Sequence, residues 1–275
     1  MFTFIDSIED LHFLNQELLT KDFVGVDTEF RRTHKDNMKL ALLQVNDGEE
    51  IFLIDALLIK SPKRSCSFLF SKSVTKIFHS CKEDLEAVFS WTDQKMTNIF
   101  DTQLANSLLG KNYSIGYQGL VEQELDIILE KNETRSNWLR RPLSDAQMKY
   151  AALDVEYLPH LYNLQIGELR SSNKLKWHDE EIQRLIRLTF SFDITVTNPI
   201  RTISRAQEDN LLSRLNQIVN RIAEEEEINP TLFFSKKAQK DFLRLVLHEG
   251  LESASSNITS WRKELILEDI ISLLR

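Results

Sequence analysis

Three apolar runs crowded into the first 60 residues constrain this chain more than any other feature. DFVGVDTEF (22–30), KLALLQV (39–45) and EIFLIDA (50–56) are separated by turn-like segments, among them Asn46-Asp47-Gly48. Runs of this length between turns predict strands joined by hairpins, a mostly antiparallel start. Further on the pattern alternates. TKIFHS (75–80) reads as a buried strand, KEDLEAVFSW (82–91) as an amphipathic helix and NIFDT (98–102) as another strand. From 103 to 190 the spacing of Leu, Ile, Val and Trp is largely helical. Strands first, then alternating strand and helix, predict an α/β fold with a mixed sheet flanked by helices.

The segment SFDITVTNPIRTI (191–203) is β-branched, contains Pro199 and has no helical period. It predicts a boundary between a domain at 1–195 and a second at 204–275. The second is a small all-α module. ISRAQEDNLLSRLNQIVNRIAEEEE, SKKAQKDFLRLVLHEG and SWRKELILEDIISLLR each carry apolar residues at i, i+3, i+4 spacing. Its charges are balanced, with 11 Lys and Arg against 12 Asp and Glu over 201–275. The acidic run Glu224–Glu227 reads as a solvated helix face.

Composition narrows the function classes. Cys66 and Cys81 form neither a disulfide framework nor a CxxC metal pair, which suits a reduced, cytoplasmic setting. The N-terminal MFTFIDSIEDLHF is acidic where a signal peptide is basic, and no apolar stretch approaches membrane-spanning length. A protein neither exported nor embedded is expected. The net charge of −8 weighs mildly against a nucleic-acid partner, because phosphate binding rests on Lys and Arg. A chain that needs carboxylates to hold cations can nevertheless be acidic overall and bind a polyanion through one local basic patch.

Three motifs carry chemistry. In Asp27-Thr28-Glu29 the two acids occupy i and i+2 of a strand, so they share a face. Side by side in a semi-buried strand they repel unless a cation neutralises them; the plainer reading is a strand end with its acids in water. In Tyr150-Ala-Ala-Leu-Asp154 a phenol and a carboxylate stand at i and i+4 of a helix, one above the other. Asp154 can ligate a metal while Tyr150 holds an attacking water; the alternative is a core Tyr and a surface Asp. Asp84 lies at the start of the helix after the 75–80 strand, where it can ligate or complement the helix dipole. His79 reads as a satisfied core histidine, and Asp101 as a cap for the helix that follows it.

In this order, D-x-E on an early strand, an Asp at a helix start and then Y-x₃-D, the motifs resemble the DEDD exonucleases, in the subclass with Tyr in the last motif. The surrounding text is similar to the bacterial ribonuclease D family. The likeness runs through VDTEFRRT (26–33), LLQV (42–45), IFHSCKEDLEAV (77–88), FDTQLA (100–105) and ETRSNWLRRPLSDAQMKYAALDVEYL (133–158).

The resemblance implies a ribonuclease-H-like mixed sheet whose first strands are antiparallel. It implies a metal-dependent 3′→5′ exoribonuclease that trims the 3′ ends of structured RNA such as tRNA precursors. Asp27, Glu29, Asp84 and Asp154 match the four metal-binding acids, and Tyr150 the tyrosine that orients the water. Two divalent cations about 3.5–4 Å apart stabilise the attacking and leaving oxygens in such chemistry. All-oxygen ligands suit Mg²⁺ or Mn²⁺ rather than Zn²⁺.

Arg135, Arg140, Arg141 and Lys149 gather around Trp138, a combination suited to a single strand through phosphate contact and base stacking. Core packing of Trp138 is the equal alternative. Thr28 and Phe30 flank the acids, and Phe30 can wedge against a terminal base or simply pack. NPTLFFSKKAQKDFL (229–243) and SWRKELILEDIISLL (260–274) loosely resemble the helicase-and-ribonuclease-D C-terminal (HRDC) domain. Two such domains are usual in the family, and there is room for one here. The expected partner is RNA with a free 3′-hydroxyl end, with no obligate protein partner. A DNA exonuclease of the Werner type, and an inactive nucleic-acid-binding protein on the same fold, are the alternatives.

Overall fold

The computed structural model describes residues 2–34, 37–60, 62, 64–129, 136–190 and 203–274. The described residues divide into two compact units, one drawn from 1–105 and 115–168, the other from 106–114 and 169–275.

The first unit is built on six strands: β1 (Phe2–Ile5), β2 (Phe23–His34), β3 (Asn37–Asn46), β4 (Ile51–Asp55), β5 (Thr75–Phe78) and β6 (Ile99–Asp101). Their order across the sheet is β1-β4-β3-β2-β5-β6. β2, β3 and β4 pair antiparallel, whereas β1 joins β4, β5 joins β2 and β6 joins β5 in parallel. The sheet is therefore mixed, as the alternation of runs predicts. Val24, Val26, Leu42, Leu43, Val45, Leu53 and Ile54 are all fully buried in it. Helices α1 (Ile8–Leu18), α2 (Lys82–Thr92), α3 (Thr102–Leu108), α4 (Tyr117–Leu125), α5 (Asp145–Glu156) and α6 (Leu158–Ser171) accompany the strands.

The expectation that the first 60 residues are strands is corrected by α1. Ser7 caps this helix, accepting from the Asp10 amide at 3.1 Å, and Leu11, Leu14 and Leu18 bury one face at i, i+3, i+7. The four-residue β1 gives too short a run to stand out in the sequence. It gains strand geometry by pairing with β4, 49 residues away at Phe2↔Ile51.

The second unit holds α7 (Leu175–Phe190), α8 (Arg205–Glu225), α9 (Pro230–Phe234), α10 (Lys236–Glu249), α11 (Leu251–Ser256) and α12 (Ser260–Leu274). The three expected C-terminal helices are α8, α10 and α12. The boundary expected at 191–203 falls almost wholly on residues outside the described ones. α7, which precedes it, packs with the C-terminal helices: Trp177 stacks on Trp261 with centroids 4.7 Å apart, and Glu181 accepts from the Trp261 indole at 2.9 Å. The buried Arg262 guanidinium also donates to Glu181. Among the described residues no helix is long and apolar enough to cross a membrane.

Candidate active site

β2 positions the first acids. It is central in the sheet, yet β5 is so short that it pairs only with Phe23, Val24 and Gly25. From Val26 onward that edge of β2 is free for other elements. Gly25, Asp27 and Glu29 face α5 and α6; a Cβ on Gly25 would lie 3.0 Å from that of Leu158. That close approach leaves little room for a side chain at position 25 and lets α5 lie against the strand. Thr28 and Arg32 face α2.

α5 brings Tyr150 and Asp154. Its start is fixed by a capping box between Ser144 and Gln147. Its end is fixed by Asn46 on β3, whose side-chain amide donates to the Val155 and Glu156 carbonyls at 3.0 Å each. The Tyr117 hydroxyl, from α4, donates to the Leu153 carbonyl at 3.1 Å and accepts from the Tyr157 amide at 3.0 Å. These bonds hold the last turn of α5 over β2. Asp27, Glu29 and Asp154 each offer a carboxylate oxygen, and the three oxygens lie within 4.8 Å of one another. The Tyr150 hydroxyl donates to Asp154.

Asp84 arrives by a different route. After β5 the chain turns through Ser80 in the left-handed region, at φ 66°, into α2. Asp101, at the end of β6, anchors this turn: its carboxylate accepts from the Ser80 and Cys81 amides at 3.1 and 2.8 Å. It also caps α3, accepting from the Gln103 and Leu104 amides at 2.9 and 3.0 Å. The capping role expected for Asp101 is thus half of what it does. Asp84, buried in the first turn of α2, accepts from the Thr28 hydroxyl at 2.5 Å. It lies outside the cluster of three but within the electrostatic reach of Asp27 and Glu29.

The electrostatics follow from burial of like charges. Burial, then the neighbouring Asp84, Asp154 and Glu29, holds the Asp27 carboxyl well above the ordinary range. Burial and the Asp154 and Asp84 charges push Glu29 up to about 8. Burial raises Asp84 and Asp154 to about 7, against hydrogen bonds from Thr28 and Tyr150 respectively that lower them. Burial, then the charges of Asp154 and Glu29, pushes the Tyr150 phenol up, so it keeps its proton at neutral pH. Four carboxylates gathered in this way form a donor set of hard oxygens, which fits divalent cations such as Mg²⁺ or Mn²⁺.

A pH dependence follows with a definite sign. Acids whose folded pKa is raised contribute stability that is fully present below the unfolded value near 4 and is lost as pH rises through about 7 to 8. In EDTA the melting temperature is expected to fall between pH 5 and pH 8.5, and Glu29→Gln to flatten that fall. Added Mg²⁺ or Mn²⁺ should restore the loss at the alkaline end. Differential scanning calorimetry checks this; a metal-free melting temperature that rises with pH would contradict the mutual repulsion of the cluster.

The flanking residues divide. Trp138 is only 6% exposed, its ring centroid 6.1 Å from that of Tyr150, so it packs behind the tyrosine and offers no open stacking face. Arg141 turns inward. Its guanidinium donates to the fully buried Asp55 at 2.5 and 2.9 Å, to the Ala41 carbonyl at 2.8 Å and to the Trp138 carbonyl at 2.7 Å. It thereby ties the Trp138 segment to β3 and β4 and has little left for substrate. Arg140 and Lys149 are exposed. Arg135 lies outside the described residues. Thr28 is buried and committed to Asp84, and Phe30 is half-buried opposite Leu40, on the Thr28 side of the strand. His79 is a satisfied core residue, its ring nitrogens 2.9 Å from the Thr102 hydroxyl and 3.0 Å from the Ile115 carbonyl. Cys66 and Cys81 are free and buried.

Sequence reasoning missed the roles of Asn46, Tyr117 and Arg141. Only Asn46 left a signal, as a polar residue ending an apolar strand run.

The chain is similar to known proteins in sequence and in fold. The profile of a family described as 3′-5′ exonuclease matches residues 2–165. Ribonuclease D of a Shewanella species is 36% identical over 185 residues, covering 67% of this chain and 48% of that protein. Ribonuclease D of Pseudomonas paraeruginosa is 40% identical over 171 residues, covering 62% and 45%. The chain thus spans about half the length of these curated relatives. The crystal structure of Escherichia coli RNase D, described as an exoribonuclease involved in structured RNA processing, superposes with a TM-score of 0.67. It is 24% identical, with 99% of this chain and 74% of that one covered. The fold is shared: a mixed sheet flanked by helices, followed by a helical C-terminal region.

Proposed function

The chain belongs to the 3′-5′ exonuclease family, and from that premise we propose that it removes nucleotides one at a time from the 3′-hydroxyl end of RNA, releasing nucleoside 5′-monophosphates. The observation that carries this reading is the convergence of Asp27, Glu29 and Asp154 oxygens within 4.8 Å, with Asp84 fixed beside them by Thr28. Residues from two strand positions and two helices gather four like charges, an arrangement that costs stability unless it serves to hold cations.

In the proposed mechanism Asp27, Glu29, Asp84 and Asp154 would hold two divalent cations, Mg²⁺ or Mn²⁺. Bound there, the cations supply stabilisation of negative charge on the phosphate and on the leaving 3′ oxygen. Tyr150 keeps its proton, donates it in a hydrogen bond to Asp154 and presents its oxygen as acceptor to the attacking water. Trp138 supports the phenol from behind, and Arg141 supports Trp138. Arg140 and Lys149, exposed near the start of α5, contact backbone phosphates, whereas Phe30, on the Thr28 side of β2, faces away from the acids and packs.

The similarity to ribonucleases D favours RNA, with structured RNA such as tRNA precursors as the substrate class in a cytoplasmic setting. We read residues 1–195 as the exonuclease domain and 204–275 as an HRDC-like module that positions substrate weakly or stabilises the fold.

Purified protein should shorten a 3′-hydroxyl oligoribonucleotide with Mg²⁺ or Mn²⁺, stop in EDTA and leave a 3′-phosphate end intact. Matched RNA and DNA oligonucleotides test the sugar preference; faster loss of DNA would reassign the substrate. Tyr150→Phe is expected to lower kcat by about 10²-fold, with KM within about twofold, because it removes water positioning and no metal ligand. Weakened RNA affinity at unchanged kcat would rule out that role.

A further inference from the structure

We propose that Arg31 and Lys39 form a two-pronged phosphate clamp that grips the backbone of a single-stranded RNA just upstream of the phosphate being cleaved. The inference rests on the exonuclease reading and names a contact within it.

Side chains alternate along β2, and contacts settle which face each residue takes. Thr28 reaches Asp84 on α2, and Arg32 pairs with Glu86 at 2.8 Å and Glu83 at 3.6 Å on the same helix. Arg31, out of phase with both, therefore projects to the other side, in line with Asp27 and Glu29. Two residues beyond Glu29, its Cα lies about 7 Å further along the strand.

Lys39 reaches this face because of a register shift. Glu29 pairs with Leu42, but Phe30 pairs with Leu40, so Ala41 is an extra residue on β3. Had the earlier register continued, Lys39 would face Arg32 on the α2 side. With the bulge it stands directly across from Arg31. Like charges directly opposite one another destabilise a strand pair. Arg32 meets two acids; Arg31 and Lys39 are exposed and make no ion pair among the described residues. A phosphate seated between them converts that repulsion into two charge-assisted hydrogen bonds. It also supplies attraction for a polyanion beside four carboxylates, in a chain of net charge −8.

The test uses the full chain with Arg31→Gln, Lys39→Gln and the double variant. On a single-stranded oligoribonucleotide the double variant should raise KM roughly tenfold or more, with kcat within about twofold. The slope of log KM against log salt should weaken by roughly 0.7 for each cation removed from a phosphate. On a dinucleoside monophosphate (NpN with a free 5′-hydroxyl), which has no phosphate upstream of the scissile one, KM should not change. The conservative variants Arg31→Lys and Lys39→Arg should keep wild-type KM. An unchanged oligonucleotide KM and salt slope, or an equal loss on the dinucleoside monophosphate, overturns the clamp while leaving the exonuclease reading intact. Fluorescence anisotropy of a labelled RNA in EDTA reads the same interaction without turnover. There, equal affinities of wild type and double variant overturn it even if the protein proves unable to cleave.

Discussion

Asp27→Ala is expected to lower nucleotide release from a 3′-hydroxyl RNA by more than about 10³-fold, while the chain stays folded. Asp27 is the carboxylate whose ionisation is opposed by each of the other three, Asp84, Asp154 and Glu29. It is the acid most closely surrounded by the others, so its loss is expected to weaken the hold of the whole set on any bound cation. The same substitution removes a charge held in a costly environment. In EDTA at pH 8 the variant should melt at or above the temperature of the wild type, and Asp154→Ala should behave alike. The two readouts separate a catalytic role from a structural one. Near-normal turnover in either variant would dismantle the site assignment, and a collapse of the fold would show that these acids support the structure instead.

Arg141→Ala carries the largest expected cost in stability. Asp55 is fully buried, and among the described residues Arg141 supplies its only cation; removing one member of such a pair leaves an uncompensated charge, at about 3 kcal/mol. Two amides, from Leu57 and Leu58, still reach the Asp55 carboxylate at 2.9 and 3.3 Å, which keeps the loss at the lower end of the range for buried pairs. For a chain of this size the melting temperature should drop by roughly 10 °C. Arg141→Lys should recover only part of it, because one ammonium cannot span Asp55, the Ala41 carbonyl and the Trp138 carbonyl together. Activity should fall too, through Trp138 and Tyr150. A melting temperature within a degree of wild type would refute the anchoring role.

The division between what was legible in the sequence and what was not follows the range of the forces involved. Asp27 with Glu29, and Tyr150 with Asp154, could be paired from sequence alone. Periods of 2 and 3.6 fix which neighbours share a face wherever the strand or helix ends up in space. The mixed sheet and the helical C-terminal unit were legible for the same reason, since long apolar periodicities survive any packing. Asp84 was legible only through the family likeness, because nothing local brings a helix start beside β2. The fold does so by ending β5 early and tying Ser80 and Cys81 to Asp101.

Arg141 stands beside Arg140 in the sequence with the same charge and the same apparent availability. Only the tertiary structure turns one toward the buried Asp55, 86 residues earlier, and leaves the other in solvent. Lys39 is decided the same way, by a single extra residue at Ala41 that moves it from one face of the hairpin to the other. The sequence by itself determined the chemistry this chain can bring to a site, because residue type and local period are properties of a segment. Which of its cations stay free to meet a phosphate was decided by register and burial, and those exist only once distant segments have packed.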